Sequence, residues 1–338
     1  MRRLLRGDML PLPSNLVSRH LVVSSLPSLP PAPLPLRREA HLWYIVPNEL
    51  EDISLLQDYM ELLSPCEKEN VLSIKGEALK KCAILSRVLV RTTLSRCICP
   101  FSSIKLFLFD VRLDTDCEVN PRLFKFRKNR FGKPEVERQN GCLWVPPSLQ
   151  FNISHTSSMI ACGVTVDVPI GIDIEEKRRK PVNNILSLAH RYFSPYEVQY
   201  LASFMDPESR QSEFLRLWTL KEAYVKALGR GFSGAPFRDF TIRFEKSTDS
   251  VVPERPKSEE FRIMIDTASD SENLTANWQF ALVELSGSHL AAICMEKDEN
   301  MPGTEQVFLK LKVWKTLPFV EDKCMSQTDA VINISGLC

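Results

Sequence analysis

The spacing of hydrophobic and polar residues changes along this chain, and the changes predict a mixed α/β fold. The apolar, extended run 41–46 predicts a strand, and residues 64–96 carry apolar side chains at helical spacing. A long helix is predicted from Phe214 to Leu228, where Gly229 would end it. Between these helices lie three strand patterns, at 151–154, 159–166 and 170–175. Because strands and helices alternate in both halves, we expect an α/β (α+β) architecture.

These patterns divide the chain into four parts. We predict a disordered leader over 1–40, an N-terminal subdomain over 41–148, a C-terminal subdomain over 149–296 and a tail over 297–338. The subdomain boundary is placed near Pro146-Pro147, after which the strand pattern starts again. The tail has one short strand pattern, at 307–313. The apolar segment 98–115 is interpreted either as an additional buried strand or as the translation of an unspliced intron, which would impair folding.

The first 38 residues have a composition that is unusual for a folded domain. They contain six arginines, five serines and seven prolines, but only one acidic residue, Asp8. An N-terminus that is rich in arginine and poor in acid is typical of an organelle transit peptide. We therefore expect a mitochondrial protein, with the plastid and the cytosol as alternatives. The other interpretation is a proline-rich leader that carries no targeting signal.

The overall composition excludes several classes of function. The chain of 338 residues has 43 Lys+Arg and 42 Asp+Glu, so it lacks the net charge that would attract nucleic acid or an anionic membrane. Its ten cysteines contain no C-x-x-C pair, which argues against a zinc module and against a disulfide framework. No run approaches the ~18 apolar residues that a membrane span needs. We expect no nucleic-acid partner and no membrane insertion.

Two acidic residues in one predicted strand are candidate metal ligands. Asp173 and Glu175 are two residues apart, so both side chains leave the same face, while Ile172 and Ile174 point into the core. A pair of carboxylates suits Mg²⁺, which also accepts phosphate oxygens as ligands. The alternative is a strand whose acidic residues only face water.

Other charged and polar residues allow both a structural and a functional interpretation. Glu222 and Lys226 lie at positions i and i+4 of a helix, either as a surface ion pair or as a carboxylate and a cation for a metal and a phosphate. Ser154-His155 and the basic turn Gly132-Lys133-Pro134 fit phosphate contacts as well as ordinary turns. Residues 64–96 are predicted as a pair of helices with an interruption at Gly76, and four basic residues after it are interpreted either as a solvated face or as ligands for an anion: Lys80, Lys81, Arg87 and Arg91.

Four short motifs occur in a fixed order and together resemble one enzyme family. They are Gly-Lys-Pro at 132–134, Phe-Asn-Ile-Ser-His at 151–155, Gly-Ile-Asp-Ile-Glu at 171–175 and Trp-Thr-Leu-Lys-Glu-Ala-Tyr-Val-Lys at 218–226. About forty residues separate the last two motifs. In this order the motifs resemble the 4′-phosphopantetheinyl transferases of the larger, surfactin-synthetase-activating type. The amino-acid sequences of the motifs are similar to those of the plant members of this family.

The resemblance implies an activity and a fold. Such enzymes transfer the 4′-phosphopantetheine arm of coenzyme A to a serine of an apo acyl carrier protein, with Mg²⁺, and release adenosine 3′,5′-bisphosphate. The implied fold has two similar α/β halves, related by a pseudo-twofold axis, with the active site in the cleft between them. An organelle address would connect the enzyme to the acyl carrier protein of fatty acid synthesis in that organelle.

The resemblance also assigns roles to particular residues. Asp173, Glu175 and Glu222 would hold Mg²⁺, and Glu222 would also accept the proton of the carrier serine. Lys226 would contact the phosphates and take part in catalysis. The remaining residues implied in coenzyme A binding are Lys128, Lys133, Pro134, Ser154 and His155.

The resemblance leaves partners and alternatives to be tested. We expect a monomer whose carrier-binding surface lies at about 177–200 and includes Phe193 and Tyr196. The first alternative is a catalytically impaired isoform that still binds carrier protein, because of the apolar segment 98–115. A different Mg²⁺-dependent phosphoryl-transfer enzyme is a further alternative, but the chain has no phosphate-binding G-x-x-x-x-G-K-[ST] motif.

Overall fold

The computed structural model describes residues 26–27, 29–30, 32–36, 38–98, 120–137, 148–179, 184–246, 261–267, 277–297 and 309–336. The helices in these ranges are α1 (Ile53–Glu61), α2 (Pro65–Leu72), α3 (Glu77–Ile98), α4 (Ile185–Tyr192), α5 (Pro195–Ala202), α6 (Pro207–Leu228) and α7 (Gly231–Gly234). The strands are β1 (Glu39–Ile45), β2 (Phe126–Lys128), β3 (Pro134–Val136), β4 (Leu149–His155), β5 (Ile160–Val166), β6 (Ile170–Glu176), β7 (Phe240–Lys246), β8 (Phe261–Thr267), β9 (Trp278–Leu285), β10 (His289–Glu296), β11 (Lys310–Leu317), β12 (Glu321–Cys324) and β13 (Val331–Ser335). The predicted mixed α/β class is confirmed.

The first half of the fold is a five-stranded sheet covered by one long helix. Its strand order is β12-β11-β1-β5-β4, with β1 and β11 parallel and the other neighbours antiparallel. The 22-residue helix α3 packs on one face of this sheet, where Trp43 and Ile45 of β1 contact a core that includes Leu85 and Leu89. This sheet and helix form one layer pair.

The second half repeats this plan with a four-stranded antiparallel sheet, in the order β13-β9-β10-β6, and a second 22-residue helix, α6. Asp206 caps the start of α6, and Gly229 ends it with a φ of 64°. Helix α6 lies directly on β6 at Gly171, where a Cβ atom would be 2.0 Å from the carbonyl oxygen of Ala223. Only glycine allows this approach, which brings α6 close to the face of β6 that carries Asp173.

The two sheets pack against each other through a separate apolar cluster. Alternate residues of β1 (Leu42, Tyr44) and of β6 (Ile172, Ile174) fill this layer. The predicted inward orientation of the two isoleucines is therefore confirmed, and it leaves the opposite face of β6 to its acidic residues.

Strands β4 and β6, from different sheets, meet through side chains rather than through a backbone ladder. The Ile172 N–H donates to Asn152 Oδ1 at 2.9 Å, and the Ile174 N–H donates to Ser154 Oγ at 3.3 Å. Asn152 and Ser154 are two residues apart in β4, so they satisfy alternate backbone donors of β6. This contact fixes the position of β4 at the junction of the two halves.

The strand pairing and packing differ from the predicted division of the chain in three places. The hairpin β4–β5 completes the first sheet by pairing with β1, so the chain crosses between the sheets at 167–169 rather than at 148–149. The predicted tail contributes β11 and β12 to the first sheet and β13 to the second. Part of the predicted disordered leader is packed, because Leu29 and Ala32 are buried and β1 begins at Glu39.

Other predictions concern segments beyond the described ranges. Residues 1–25 lie outside the described residues, as does the apolar segment 98–115 except for Ile98, the last residue of α3. Among the helices described, none combines the length and the hydropathy needed to cross a bilayer.

Candidate active site

A cavity of about 740 Å³ lies where β4, β6 and α6 come together. The first sheet contributes the end of β4 and the turn that follows it, and the second half contributes β6 and α6. The polar and charged residues of its lining are Ser154, His155, Thr156, Ser157, Asp173, Glu175, Glu176, Arg179, Glu222 and Lys226. The structure thus brings six of the predicted site residues, from three separate elements, to one cavity.

Asp173 is held in a network with Lys226 and Ser154. Lys226 Nζ donates to Asp173 Oδ1 at 2.6 Å and to Ser154 Oγ at 3.1 Å. The Ser154 hydroxyl donates to the same Asp173 oxygen at 2.9 Å. Burial raises the pKa of Asp173, and the ion pair with Lys226 opposes this rise. Ser154, for which the resemblance implies a contact with coenzyme A, contacts this aspartate in the structure.

Glu175 is held by a cation that the motifs did not reveal. Arg179 Nη1 donates to both carboxylate oxygens of Glu175, at 2.7 and 2.6 Å. Burial raises the pKa of Glu175, and the hydrogen bond from Arg179 works against it. The basic run 177–180 directly after β6 is the sequence signal that could have indicated such a residue.

Glu222 faces the same cavity from α6. Burial is the main reason why its pKa is raised, and Lys226, one turn further along the helix, opposes the rise. The nearby negative charges of Asp173 and Glu175 raise the pKa of Glu222 further. These mutual effects show that the three carboxylates share one electrostatic environment, although they come from two elements.

The residues of this cavity fit a divalent cation. Four carboxylates line it, together with the basic side chains of Lys226 and Arg179. The second carboxylate oxygen of Asp173, Oδ2, is buried and has no hydrogen-bond partner. Within the described part of the chain, no three His, Cys, Asp or Glu side chains are already placed to hold a metal ion. Lys226 engages only Oδ1 of Asp173, whereas Arg179 engages both oxygens of Glu175, so an ion bound by Glu175 would compete with Arg179.

The turn after β4 forms one wall of the cavity and is fastened to the second sheet. Ser157 and Ser158 donate to Glu176 Oε1 at 2.9 and 2.5 Å. His289 Nε2 of β10 lies 3.2 Å from Thr156 Oγ1 and 3.0 Å from Ser158 Oγ. His155, at the start of this turn, is exposed at the cavity.

The predicted residues of the basic turn are not part of the cavity lining. Lys133 Nζ donates to the backbone carbonyls of Ile170 at 2.9 Å and Ala227 at 3.4 Å, so it ties the turn to β6 and α6. Burial lowers the pKa of Lys133 to about 8. Lys128 is exposed and lies opposite Pro134 in the β2–β3 hairpin. Contacts of these three residues with coenzyme A remain predictions.

One residue of the predicted carrier-binding surface is placed elsewhere. Phe193 is buried and stacks on Phe214, with ring centroids 5.1 Å apart, so it belongs to the core of the second half. Tyr196 is exposed, with Arg243 over its ring. Of the two aromatic residues, only Tyr196 is available to a partner.

Comparisons with known proteins relate the second half of the chain to one superfamily. Residues 169–294, which carry Asp173, Glu175, Glu222 and Lys226, match the 4′-phosphopantetheinyl transferase superfamily. This part of the chain is therefore similar to the members of that superfamily. The resemblance found in its motifs is thereby confirmed.

Individual relatives support the assignment. The chain is 40% identical over 115 residues to the 4′-phosphopantetheinyl transferase HetI of Nostoc. This alignment covers 34% of this chain and 46% of the relative. The chain is 29% identical over 188 residues to the 4′-phosphopantetheinyl transferase Sfp of Bacillus subtilis, and this alignment covers 56% of this chain and 69% of the relative. The aligned part spans about half the length of most curated relatives that it matches, from 43% to 54%.

A solved structure with local similarity is the holo-[acyl-carrier-protein] synthase of Thermotoga maritima. Its TM-score is 0.26 at 25% sequence identity, and the match covers 39% of this chain and 64% of the other.

Proposed function

We propose that this chain is a 4′-phosphopantetheinyl transferase, a holo-[acyl-carrier-protein] synthase that uses coenzyme A as the donor. The observation that carries the proposal is the meeting of Asp173, Glu175, Glu222 and Lys226 at one cavity between the two halves. All four lie within the region that matches the superfamily. The relatives that match this region are named as 4′-phosphopantetheinyl transferases.

The proposed reaction is a substitution at the diphosphate of coenzyme A. The serine hydroxyl of an apo acyl carrier protein attacks the phosphorus that carries the pantetheine arm. The bond from this phosphorus to the bridging oxygen breaks, and adenosine 3′,5′-bisphosphate leaves with that oxygen. The product is the phosphodiester between the carrier serine and the arm. This chemistry needs charge neutralisation at the diphosphate, alignment of the two reactants and a base near the hydroxyl.

The residues of the cavity match these needs. Asp173, Glu175 and Glu222 would hold Mg²⁺, which supplies charge neutralisation at phosphoryl oxygens. Lys226 is 28% exposed, and its ammonium carries three N–H donors, so it can bind a phosphate oxygen in addition to Asp173 and Ser154. His155 is exposed at the wall opposite α6 and offers a second phosphate contact.

Glu222 is the group proposed to accept the serine proton. Its raised pKa makes its carboxylate a stronger base than that of an exposed glutamate. The carrier protein that supplies this serine is proposed to dock on the 177–200 surface, of which Tyr196 is an exposed residue.

The test uses intact-mass spectrometry of an apo acyl carrier protein. The carrier is incubated with this protein, coenzyme A and Mg²⁺, and it should gain the mass of the arm. Asp173→Asn removes one negative charge at constant size and should abolish the gain, whereas Glu176→Gln in the same cavity should retain it. If the wild-type protein binds the carrier without changing its mass, the alternative of a catalytically impaired isoform takes the place of this proposal.

We also propose that the carrier is a mitochondrial acyl carrier protein of fatty acid synthesis. The arginine-rich composition of the first 38 residues supports this location. A fluorescent protein fused to residues 1–45 should enter mitochondria, and accumulation in plastids or cytosol would contradict the assignment.

A further inference from the structure

Arg179 is a cavity residue that neither the motifs nor the proposed mechanism uses. It lies three residues after the end of β6, and its Nη1 atom donates to both oxygens of Glu175, at 2.7 and 2.6 Å. The Glu175 side chain is 10% exposed, whereas that of Arg179 is 63% exposed. Arg179 therefore reaches from solvent onto a nearly buried carboxylate that is a proposed metal ligand.

The backbone of Arg179 is held by hydrogen bonds, whereas most of its side chain is exposed to solvent. Its N–H donates to the Glu176 carbonyl at 3.0 Å, and its own carbonyl accepts from Gln211 Nε2 at 2.9 Å. The exposed guanidinium can therefore exchange partners without a change of the main chain. It can move only as far as its side chain reaches, which keeps it beside the cavity.

Charge balance favours such an exchange when a metal and a diphosphate enter together. Arg179 donates to both oxygens of Glu175, so a metal ion would compete with it for them. A diphosphate brings negative charge into a cavity where carboxylates already outnumber cations. A guanidinium released from Glu175 would find phosphate oxygens that its planar set of N–H donors can bind in a bidentate way.

We propose that Arg179 is a phosphate-binding residue for coenzyme A that holds Glu175 in the metal-free protein. When the metal and coenzyme A bind, the guanidinium leaves Glu175 to the ion and binds the diphosphate. This inference rests on the proposed function and adds a residue to it. The inference predicts that removal of this side chain strengthens metal binding and weakens coenzyme A binding, because the guanidinium competes with the metal and attracts the phosphates.

The experiment compares two neighbouring arginines. Arg178 is exposed in the same basic run and is not part of the cavity lining, so Arg178→Ala makes the same change of net charge as Arg179→Ala. Binding of Mn²⁺ without coenzyme A is measured by the loss of the free-ion signal in electron paramagnetic resonance. Binding of coenzyme A with saturating Mg²⁺ is measured by calorimetry, and a melting curve checks the fold of each variant.

Arg179→Ala should bind Mn²⁺ about twofold to fivefold more tightly than the wild type, the range expected for loss of a partly exposed ion pair. The same variant should bind coenzyme A ~tenfold more weakly, because a bidentate charged contact is lost. Arg178→Ala should change both constants by less than about twofold. Arg179→Lys, which keeps the charge but not the fork, should retain part of the coenzyme A affinity.

Two results would overturn the inference. If Arg179→Ala binds coenzyme A as the wild type does, Arg179 does not contact the phosphates. If Arg178→Ala shows the same changes as Arg179→Ala, only net charge matters. In both cases a wild-type protein that still transfers the arm leaves the proposed function intact, whereas a wild-type protein that binds no coenzyme A and transfers no arm refutes both.

Discussion

Ser154 offers a sharp test of how the site is built, since one hydroxyl serves three groups. Its Oγ donates to Asp173 and accepts from the Ile174 N–H and from Lys226, at 2.9, 3.3 and 3.1 Å. Ser154→Ala removes all three contacts and leaves the Ile174 N–H without this partner in a buried strand. An unsatisfied buried donor costs about 1–3 kcal/mol, so we expect a loss of stability of ~2 kcal/mol.

The same change should also weaken catalysis, because Asp173 loses a contact that orients its carboxylate. We expect transfer to fall by ~10-fold or more, in line with the cost of disturbing a residue that orients a metal ligand. Stability is measured by urea unfolding and activity by the mass gain of the carrier. Ser157→Ala is the matched control, because Ser157 is exposed and donates to Glu176 at 2.9 Å. Ser157→Ala should lower the free energy of unfolding by less than ~0.5 kcal/mol. Equal effects of the two substitutions would refute the reasoning.

Three further predictions address the framework of the fold. Lys221 and Glu197 form a fully buried ion pair with an N–O distance of 2.7 Å. Lys221→Met should therefore lower the free energy of unfolding, measured in urea, by ~3–5 kcal/mol. Adding Glu197→Gln should restore part of this stability, and a double variant whose loss equals the sum of the two single losses would contradict the pairing. Burial lowers the pKa of His41 to about 4, so the unfolded state binds the proton first. The free energy of unfolding of the wild type should fall by ~2 kcal/mol as the pH falls from 7 to 5. In His41→Gln this pH dependence should be absent, and a variant that keeps it would show that other groups cause it. Deleting residues 1–25 should leave the melting temperature unchanged. Deletion through residue 37 should lower the melting temperature by several degrees, because buried Leu29 is lost. Equal melting temperatures of the two deletion variants would show that the packing of Leu29 contributes nothing to stability.

The site was predictable where the chemistry follows local periodicity. The alternation in β6 placed Asp173 and Glu175 on one face, and the helical spacing placed Glu222 and Lys226 on one side of α6. Both expectations depend only on neighbours within one element. The motif order then identified the superfamily, which the comparison of residues 169–294 confirmed.

Long-range pairing was not predictable from the same signals. The hairpin β4–β5 joins β1, more than a hundred positions earlier, and local alternation does not specify a distant partner. The charge of Arg91 favoured either a solvated face or a bound anion, but Arg91 is buried against Glu67 at 2.6 Å and donates to the Phe124 carbonyl at 3.1 Å. Lys133 likewise donates to backbone carbonyls. A single sequence does not distinguish such internal partners from a ligand.

Our central claim is that carboxylates from β6 and α6 together hold a divalent ion beside the diphosphate of coenzyme A. The most direct measurement is the dissociation constant of Mn²⁺ in the presence of coenzyme A, followed by electron paramagnetic resonance. The variants are Asp173→Asn, Glu175→Gln and Glu222→Gln, with Glu176→Gln as the control from the same cavity. We expect each of the first three to weaken Mn²⁺ binding by ~10-fold or more and the control to bind like the wild type. Unchanged binding in Glu222→Gln, or an equal loss in all four variants, would contradict the claim.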